Sequence, residues 1–232
     1  MRLATILDTE TARLAGVPDA VGDLIVPEGL AGDAIATILP DNPLADDWFF
    51  PVDLPGDRLV AWSGGLGDTL FADEPRTWMG EGHERFERLC DEMRDPLRDA
   101  GGRLCFRPHA RHVLSDPQGT LDFLRRREKE PFGLALSPAD LLLPHMLDAA
   151  EDHFERILEF MVPRCDLLIV ADASPDPADP DAALRPCRLG TGVLPAARLM
   201  QAINESLPEE AWVVVPPADR ATMTAWRHGD LP

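Results

Sequence analysis

The second half of the chain alternates between strand and helix periodicities, and this alternation limits the possible fold more than any other feature. Arg103–Phe106, Phe132–Ser137 and Cys165–Ala171 have strand patterns, and each precedes a helical pattern. The last of them, CDLLIVA, is almost continuously apolar, as parallel strands are when helices cover both faces of their sheet. Repeated strand–helix units of this length indicate parallel strands that are joined by right-handed crossovers.

Other segments extend the same pattern in both directions along the chain. Asp116 is a typical helix cap, and Pro117 fits the first position of the helix that follows, which we expect to run to about Arg127. Further helices are predicted over residues 84–98, 144–161 and 194–207, with a short closing helix over 217–227, and further strands over 58–62 and 212–215. His145, in the helix over 144–161, is expected on the surface.

The first 57 residues contain strand candidates without long helices between them: Leu3–Leu7, Leu24–Val26, Ile35–Leu39 and Phe49–Val52. Counting Leu3–Leu7, two of the middle candidates and the five later strands gives eight. The prediction is therefore an α/β fold, a compact (β/α)8 TIM barrel that is irregular in its first third and forms one domain over residues 1–232. Because the early units are poor in helix, a doubly wound open parallel sheet is the alternative.

The chain is strongly acidic, with 41 Asp and Glu residues against 22 Lys and Arg residues and a formal net charge of -19. Such a chain repels phosphate backbones and anionic lipids, so we expect neither nucleic acid nor a membrane as its partner, with a homo-oligomer left open. The start, MRLATILDTE, lacks the long apolar stretch of a secretory signal, and a cytoplasmic location is expected. The cysteines form no CxxC pair, so we expect reduced thiols rather than a zinc site or disulfides.

Two kinds of loop segment have more than one interpretation. Residues 173–182, ASPDPADPDA, concentrate proline and aspartate after a strand and are either a solvated connector or a lid over a site. The glycine-rich segments 63–67 and 189–192 are first interpreted as turns, with phosphate binding through backbone N–H groups as the alternative.

Polar residues that follow the predicted strands are the site candidates. His109 and His112 are three residues apart and could serve one pocket as acid and base, or could be loop residues with ordinary partners. Arg107 could bind a carboxylate or phosphate, or could pair with Asp140 or Asp172. Asp140 is otherwise a helix or turn cap, and Asp172 ends a strand, where it could orient His109 or Arg107.

Three stretches, in this order, are similar to the motifs of one superfamily. Phe106-Arg-Pro-His109, with the acidic helix start after it, resembles the fourth strand of the xylose-isomerase-like barrels, which include sugar-phosphate isomerases, epimerases, inosose dehydratases and type IV endonucleases. Residues 132–141, FGLALSPADL, resemble the fifth strand, and LGTGVLP at 189–195 with AWVVV at 211–215 resembles the approach to the last one. The resemblance covers roughly residues 58–216 and implies a TIM barrel that acts on a sugar or a related compound.

Members of this superfamily typically hold a divalent metal with Glu, Asp, His and Glu at four strand ends, and the chain departs from this pattern. Arg107 stands where the first Glu or a His is expected, Ser137 in place of the Asp, and Asp140 in place of the neighbouring His. Pro216 replaces the final Glu, and the sixth strand offers only Asp172. A guanidinium repels cations and proline supplies no ligand, so we expect no cofactor, with a divalent Mn, Zn or Mg ion as the alternative.

The resemblance and the departures lead to two hypotheses from different classes. The first is an isomerase, epimerase or lyase for a small polyhydroxylated or carboxylated metabolite, working without the usual metal site. Its expected catalytic residues are His109, His112 and Asp172, and its expected substrate-binding residues are Arg107, Ser137 and Asp140. The second is a barrel that has lost catalysis and binds a metabolite or a partner protein.

Overall fold

A computed structural model of the protein describes residues 1–14, 22–27, 33–50, 56–179 and 182–231. The strands in these residues are β1 Arg2–Leu7, β2 Asp23–Pro27, β3 Ala36–Ile38, β4 Arg58–Trp62, β5 Arg103–Arg107, β6 Phe132–Leu136, β7 Leu167–Ile169, β8 Asp172–Ser174, β9 Arg185–Cys187 and β10 Trp212–Val215. All but β8 and β9 close into one barrel in the order β1-β10-β7-β6-β5-β4-β3-β2. The closed barrel confirms the predicted TIM-barrel class, and the alternative prediction of an open parallel sheet was wrong.

Helices cover the outside of the barrel: α1 Thr9–Leu14, α2 Gly80–Asp99, α3 Pro117–Arg126, α4 Ala150–Met161, α5 Ala196–Ser206 and α6 Arg220–Arg227. The predicted start of α3 is confirmed, because Asp116 Oδ1 accepts a hydrogen bond from the Gly119 N–H at 2.9 Å. The predicted helix over 144–161 begins differently, as the 3-10 helix Pro144–Ala149 that leads into α4. No helix in the described part of the chain is long and apolar enough to span a membrane.

Strand β2 runs against its neighbours, which departs from the all-parallel arrangement that the sequence predicts. It pairs antiparallel with both β1 and β3, whereas the other neighbouring barrel strands pair in parallel. Only the eight residues 28–35 separate β2 from β3, and a parallel crossover needs about a dozen or more. The strand candidate Phe49–Val52 was wrong for Phe49 and Phe50, which lie outside any strand, and its other two residues lie outside the described ones.

Small and branched apolar side chains from alternate strand positions fill the barrel interior: Ala4, Ile25, Ala36, Val60, Cys105, Ala135, Leu167, Ile169 and Val214. Two larger clusters fill the space between strands and helices, one beneath α4 and α5 and the other beneath α2 and α3. Alternate positions thus serve the two sides of the wall, which is the period of two expected of strands. All four cysteines are free, as their spacing predicts.

The described residues 173–179 and 182 of the proline- and aspartate-rich segment belong to a hairpin rather than to a simple connector, whereas residues 180–181 lie outside the described ones. After β7 the chain leaves the barrel, and β8 pairs antiparallel with β9. Asp176 is buried in the hairpin, where its carboxylate pairs with Arg185 and accepts the Ala178 N–H at 2.9 Å. Because the hairpin follows β7, it lies at the carboxyl-terminal end of the barrel strands, where TIM barrels carry their sites.

The carboxylate of Asp172 fixes the loop that joins β9 to α5. It accepts main-chain N–H groups from Ala173 at 2.9 Å, Gly190 at 3.1 Å, Gly192 at 2.9 Å and Leu194 at 2.9 Å. The glycine-rich segment therefore does offer N–H groups to an anion, but that anion is a side chain of the protein itself. Four donors occupy the two carboxylate oxygens, which suits a buried charge.

Replacing Gly192 with alanine is expected to lower the unfolding free energy by roughly 1–3 kcal/mol, because the added atom overpacks this loop. A Cβ atom there would lie 2.2 Å from the Ala173 carbonyl oxygen and 2.4 Å from Asp172 Oδ1. Gly80→Ala is the matched control, since a Cβ atom at Gly80 meets nothing within 4 Å. Urea denaturation measures the unfolding free energy of both variants. Equal unfolding free energies of Gly192→Ala and Gly80→Ala would contradict the loop geometry.

Candidate functional site

Arg107, the last residue of β5, forms a partly buried ion pair at the strand ends. Its Nε lies 2.6 Å from Oδ2 of Asp140, and both side chains are 18% exposed. Its guanidinium carbon lies 4.2 Å from the centre of the Trp62 ring, at the end of β4. Asp140 follows β6, and its carbonyl also accepts the Ala110 N–H at 2.9 Å. Of the two partners considered for Arg107, Asp140 is the one it contacts, and the pair links the ends of β4, β5 and β6.

His109 and His112 lie in an aromatic cluster beside this ion pair. The Phe71 ring stacks on His112 with centroids 5.3 Å apart and contacts His109 at 4.6 Å. The Trp62 ring meets the two imidazoles edge-on at 5.8 and 5.4 Å. His109 is 8% exposed and His112 is 0% exposed. The two histidines do lie together, as their spacing suggests, but in a buried cluster.

Hydrogen bonds define the tautomer of each imidazole. Nδ1 of His109 accepts the Arg111 N–H at 3.0 Å, so the neutral ring carries its proton on Nε2. Nε2 of His112 lies 2.8 Å from the Leu70 carbonyl oxygen and donates to it. Nδ1 of His112 is then an acceptor, and it is buried without a partner in the described residues.

Burial keeps both imidazoles neutral. It lowers the pKa of His109 to about 3, with the charges of Arg107 and Arg111 acting in the same direction. It also lowers the pKa of His112 to about 3, with His109 as the next contributor. General acids and bases work best when their pKa lies near the operating pH. Such a low pKa does not favour proton transfer near neutral pH, and the catalytic roles of these residues stay predictions.

The remaining predicted site residues are also buried. Ser137 follows β6 and is 0% exposed, and its Oγ has no partner among the described residues. Asp172 is 1% exposed, and its carboxylate is taken up by the four main-chain donors of the loop. It therefore positions this loop, whereas the sequence suggested that it could orient His109 or Arg107.

The strand ends do not suit the divalent metal that the fold family implies. Arg107 places a positive charge there, and its partner Asp140 is already engaged. Pro216 follows β10 and supplies no side-chain ligand. In the described ranges, no group of three or more His, Cys, Asp or Glu side chains could hold a metal ion. Such ions require several oxygen or nitrogen ligands, so the residues present do not fit the metal.

A cleft lies beside this set, walled by the loops that follow β4, β5, β6 and β8. Its volume is about 870 Å³. It is lined by Asp73, Trp78, Arg111, Leu143, Pro144, His145, Leu147, Asp148, Pro175, Asp176 and Pro177. None of the six predicted site residues is among them. The site that the sequence predicts and the cleft that the fold forms are therefore neighbours but not the same.

The cleft combines apolar side chains and one indole with a few polar groups. Arg111 is half-buried, and its Nη1 donates to the Phe71 carbonyl at 3.1 Å. Trp78 is half-buried, with its indole N–H buried and without a partner in the described residues. Asp73 and Asp148 are exposed on the walls that flank Arg111. An aromatic surface with a few convergent polar groups is typical of small-molecule sites.

Sequence reasoning assigned none of these residues to a site, although three of them had a signal in the sequence. Arg111 stands between the two singled-out histidines and was not considered. Asp176 lies in the segment that we interpreted as a connector or a lid, and it forms a wall of the cleft. His145, expected on the surface, is exposed and borders the cleft. Nothing in the local pattern distinguishes Trp78.

The buried histidines predict a pH dependence of stability. Their folded pKa of about 3 lies below the ordinary value of 6.5, so the unfolded chain binds more protons between these values. Their contribution is complete above about pH 6.5 and is lost as the pH falls, at up to about 1.4 kcal/mol per pH unit for each histidine. Urea denaturation at several pH values across this range should show that the unfolding free energy depends less steeply on pH in His112→Gln than in the unaltered protein. The glutamine amide can still donate a hydrogen bond to the Leu70 carbonyl.

The exposed His228 offers a matched control for this measurement. His228→Gln should keep the pH dependence of the unaltered protein, because this side chain lies on the surface and outside the buried cluster. A slope in His112→Gln that equals that of His228→Gln would contradict the buried, neutral state of His112.

No protein-family model matches the chain, and no curated protein matches it. Among solved structures, the xylose isomerase domain protein from Planctomyces limnophilus aligns with a TM-score of 0.50 at 12% identity, covering 73% of this chain and 55% of that one. A xylose isomerase-like TIM barrel protein from Mycobacterium smegmatis, in complex with magnesium, aligns with a TM-score of 0.46 at 14% identity over 69% and 54%. Endonuclease IV from Thermus thermophilus aligns with a TM-score of 0.47 at 13% identity over 75% and 62%.

The chain spans little more than half the length of these solved structures, between 54% and 62%. At such low identity, a structural likeness concerns the fold and not the activity. The closed barrel and the match to the Planctomyces protein agree with the resemblance carried by the sequence motifs. The chain has the TIM-barrel fold of the xylose isomerase-like proteins.

Proposed function

We propose that this protein binds a small polyhydroxylated metabolite in the cleft between Trp78 and Arg111. One observation carries the proposal: the charged side chains Arg107, Asp140 and Asp172 at the strand ends are engaged within the protein, whereas the cleft beside them is open. Arg107 pairs with Asp140, and Asp172 holds its own loop. The cleft volume of about 870 Å³ is within the range of roughly 300–1,000 Å³ that is usual for small-molecule pockets.

The walls of the cleft suit a compound that has hydroxyl edges and apolar C–H faces. The half-buried indole of Trp78 supplies an aromatic surface for the C–H faces. Arg111 has five N–H donors in one plane, and one of its nitrogens is held by the Phe71 carbonyl. A guanidinium that is already oriented loses less side-chain freedom when it binds hydroxyl oxygens.

Binding without chemistry is favoured because the described strand-end residues carry no group that is ready to transfer a proton. The imidazoles of His109 and His112 have a pKa of about 3. The carboxylate of Asp172 accepts four main-chain N–H groups. Each of these groups therefore stabilises the barrel mouth and the loops around it.

Trp78→Ala should weaken binding by about tenfold or more, the effect expected when an aromatic anchor is lost from a pocket. A panel of aldoses, ketoses, polyols and hydroxy acids identifies ligands by thermal shift, and calorimetry then measures their affinities. Trp48→Ala is the matched control, because Trp48 is also half-buried but borders other cavities.

Two further results bear on this proposal. Added Mn, Zn or Mg should leave the affinity of the EDTA-treated protein unchanged, because the strand ends do not suit a metal. Failure of every compound in the panel to bind, or equal losses in Trp78→Ala and Trp48→Ala, would contradict ligand binding in the cleft. Metal-dependent binding would contradict the structural role of Arg107.

A metal-free isomerase, epimerase or lyase is the second candidate, and the position of His145 favours it. This imidazole is exposed and borders the cleft, where it can reach a bound compound. NMR of each bound compound over time detects turnover. Conversion that is abolished in His145→Gln would establish this candidate over simple binding, and its absence for every ligand would exclude it for the compounds tested.

A further inference from the structure

The charged side chains of the cleft are not balanced, and this imbalance limits what can bind. Asp176 is neutralised by Arg185 of the same hairpin. Asp73 and Asp148 are exposed, and neither has an ion-pair partner among the described residues. Arg111 is the cation among the residues that line the cleft, and it also holds the Phe71 carbonyl. Among the described residues that line the cleft, two carboxylates without an ion-pair partner therefore accompany one guanidinium.

The topology of the barrel places these two carboxylates on separate walls. Asp73 belongs to the loop after β4 and Asp148 to the 3-10 helix after β6. The strand between them, β5, carries Arg111 in its loop. A ligand in the cleft therefore meets a negative charge on each side of the guanidinium. The net charge of -19 on the whole chain adds to the same potential.

On the basis of the proposed function, we infer that the ligand is a polyhydroxylated compound that carries an amino group, and that sugar phosphates are excluded. A phosphate would bring about two negative charges into a cleft that already has an excess of them. The protonated amine of the ligand can contact Asp73 or Asp148 while the ligand's hydroxyl groups reach Arg111 and its C–H face packs on the ring of Trp78. The amine and the two carboxylates determine the selectivity for the ligand, whereas the indole determines the general affinity.

Three sugars with one carbon skeleton test this inference: D-glucosamine, D-glucose and D-glucose 6-phosphate. Calorimetry is done slightly below neutral pH, where an amine of this type is protonated. Glucosamine should bind up to about fivefold more tightly than glucose, which is the upper range for one exposed ion pair, and glucose 6-phosphate should bind least tightly. Added salt should reduce the difference, because it screens exposed charges.

The double variant Asp73→Asn, Asp148→Asn should lose the preference for glucosamine and retain the affinity for glucose. Asp99→Asn is the control, since Asp99 ends α2 at the opposite end of the barrel and is exposed; it should keep the preference. The preserved affinity for glucose shows that the double variant is folded and that its cleft is intact.

Other outcomes overturn the inference in ways that can be told apart. Equal affinities for the three sugars, or tightest binding of the phosphate, would overturn the charge selectivity but leave the proposed binding function in place. Binding of none of the three would also overturn the inference, and the proposed function would fail with it only if the wider panel of compounds also failed to bind.

Discussion

The contact between Arg107 and Asp140 is the interaction on which the arrangement of the barrel mouth depends. A guanidinium that is only 18% exposed needs a partner, and it has one at 2.6 Å. The ring of Trp62 supplies a second contact across its face at 4.2 Å. Because these three residues belong to β4, β5 and the segment after β6, one cation fixes the relative positions of three strand ends and of the loops that follow them.

The other features of the mouth are consistent with this constraint. A cation at the end of β5 disfavours a metal there and disfavours the charged form of His109, whose imidazole is buried against Trp62 and Phe71. The main chain of Arg111 caps that imidazole at Nδ1, and its side chain extends to the cleft. The same short segment therefore closes the strand ends on one side and forms a wall of the cleft on the other.

The sequence predicts the barrel well because strand and helix periods are local properties of the chain. It predicts the direction of β2 poorly, because that direction follows from the short segment before β3 and not from the pattern of β2 itself. The hydrogen-bond donors to Asp172 are likewise determined by tertiary structure. Nothing in the sequence near residue 172 indicates that its carboxylate will accept main-chain N–H groups from residues 190–194. Nothing in the sequence indicates that Arg111 and Trp78 line the same cleft, because the cleft forms only where four loops meet in the folded barrel.

The central claim is that ligands enter the cleft at Trp78 and leave the strand-end cluster around Trp62 undisturbed. Heteronuclear NMR of the indole N–H signals during titration with the tightest-binding compound tests it most directly, with Trp78→Phe and Trp62→Phe spectra assigning the two signals. The account predicts that the Trp78 signal shifts in a saturable way while the Trp62 signal stays in place. A shift of Trp62 without a shift of Trp78 would place the ligand at the strand ends and contradict the account.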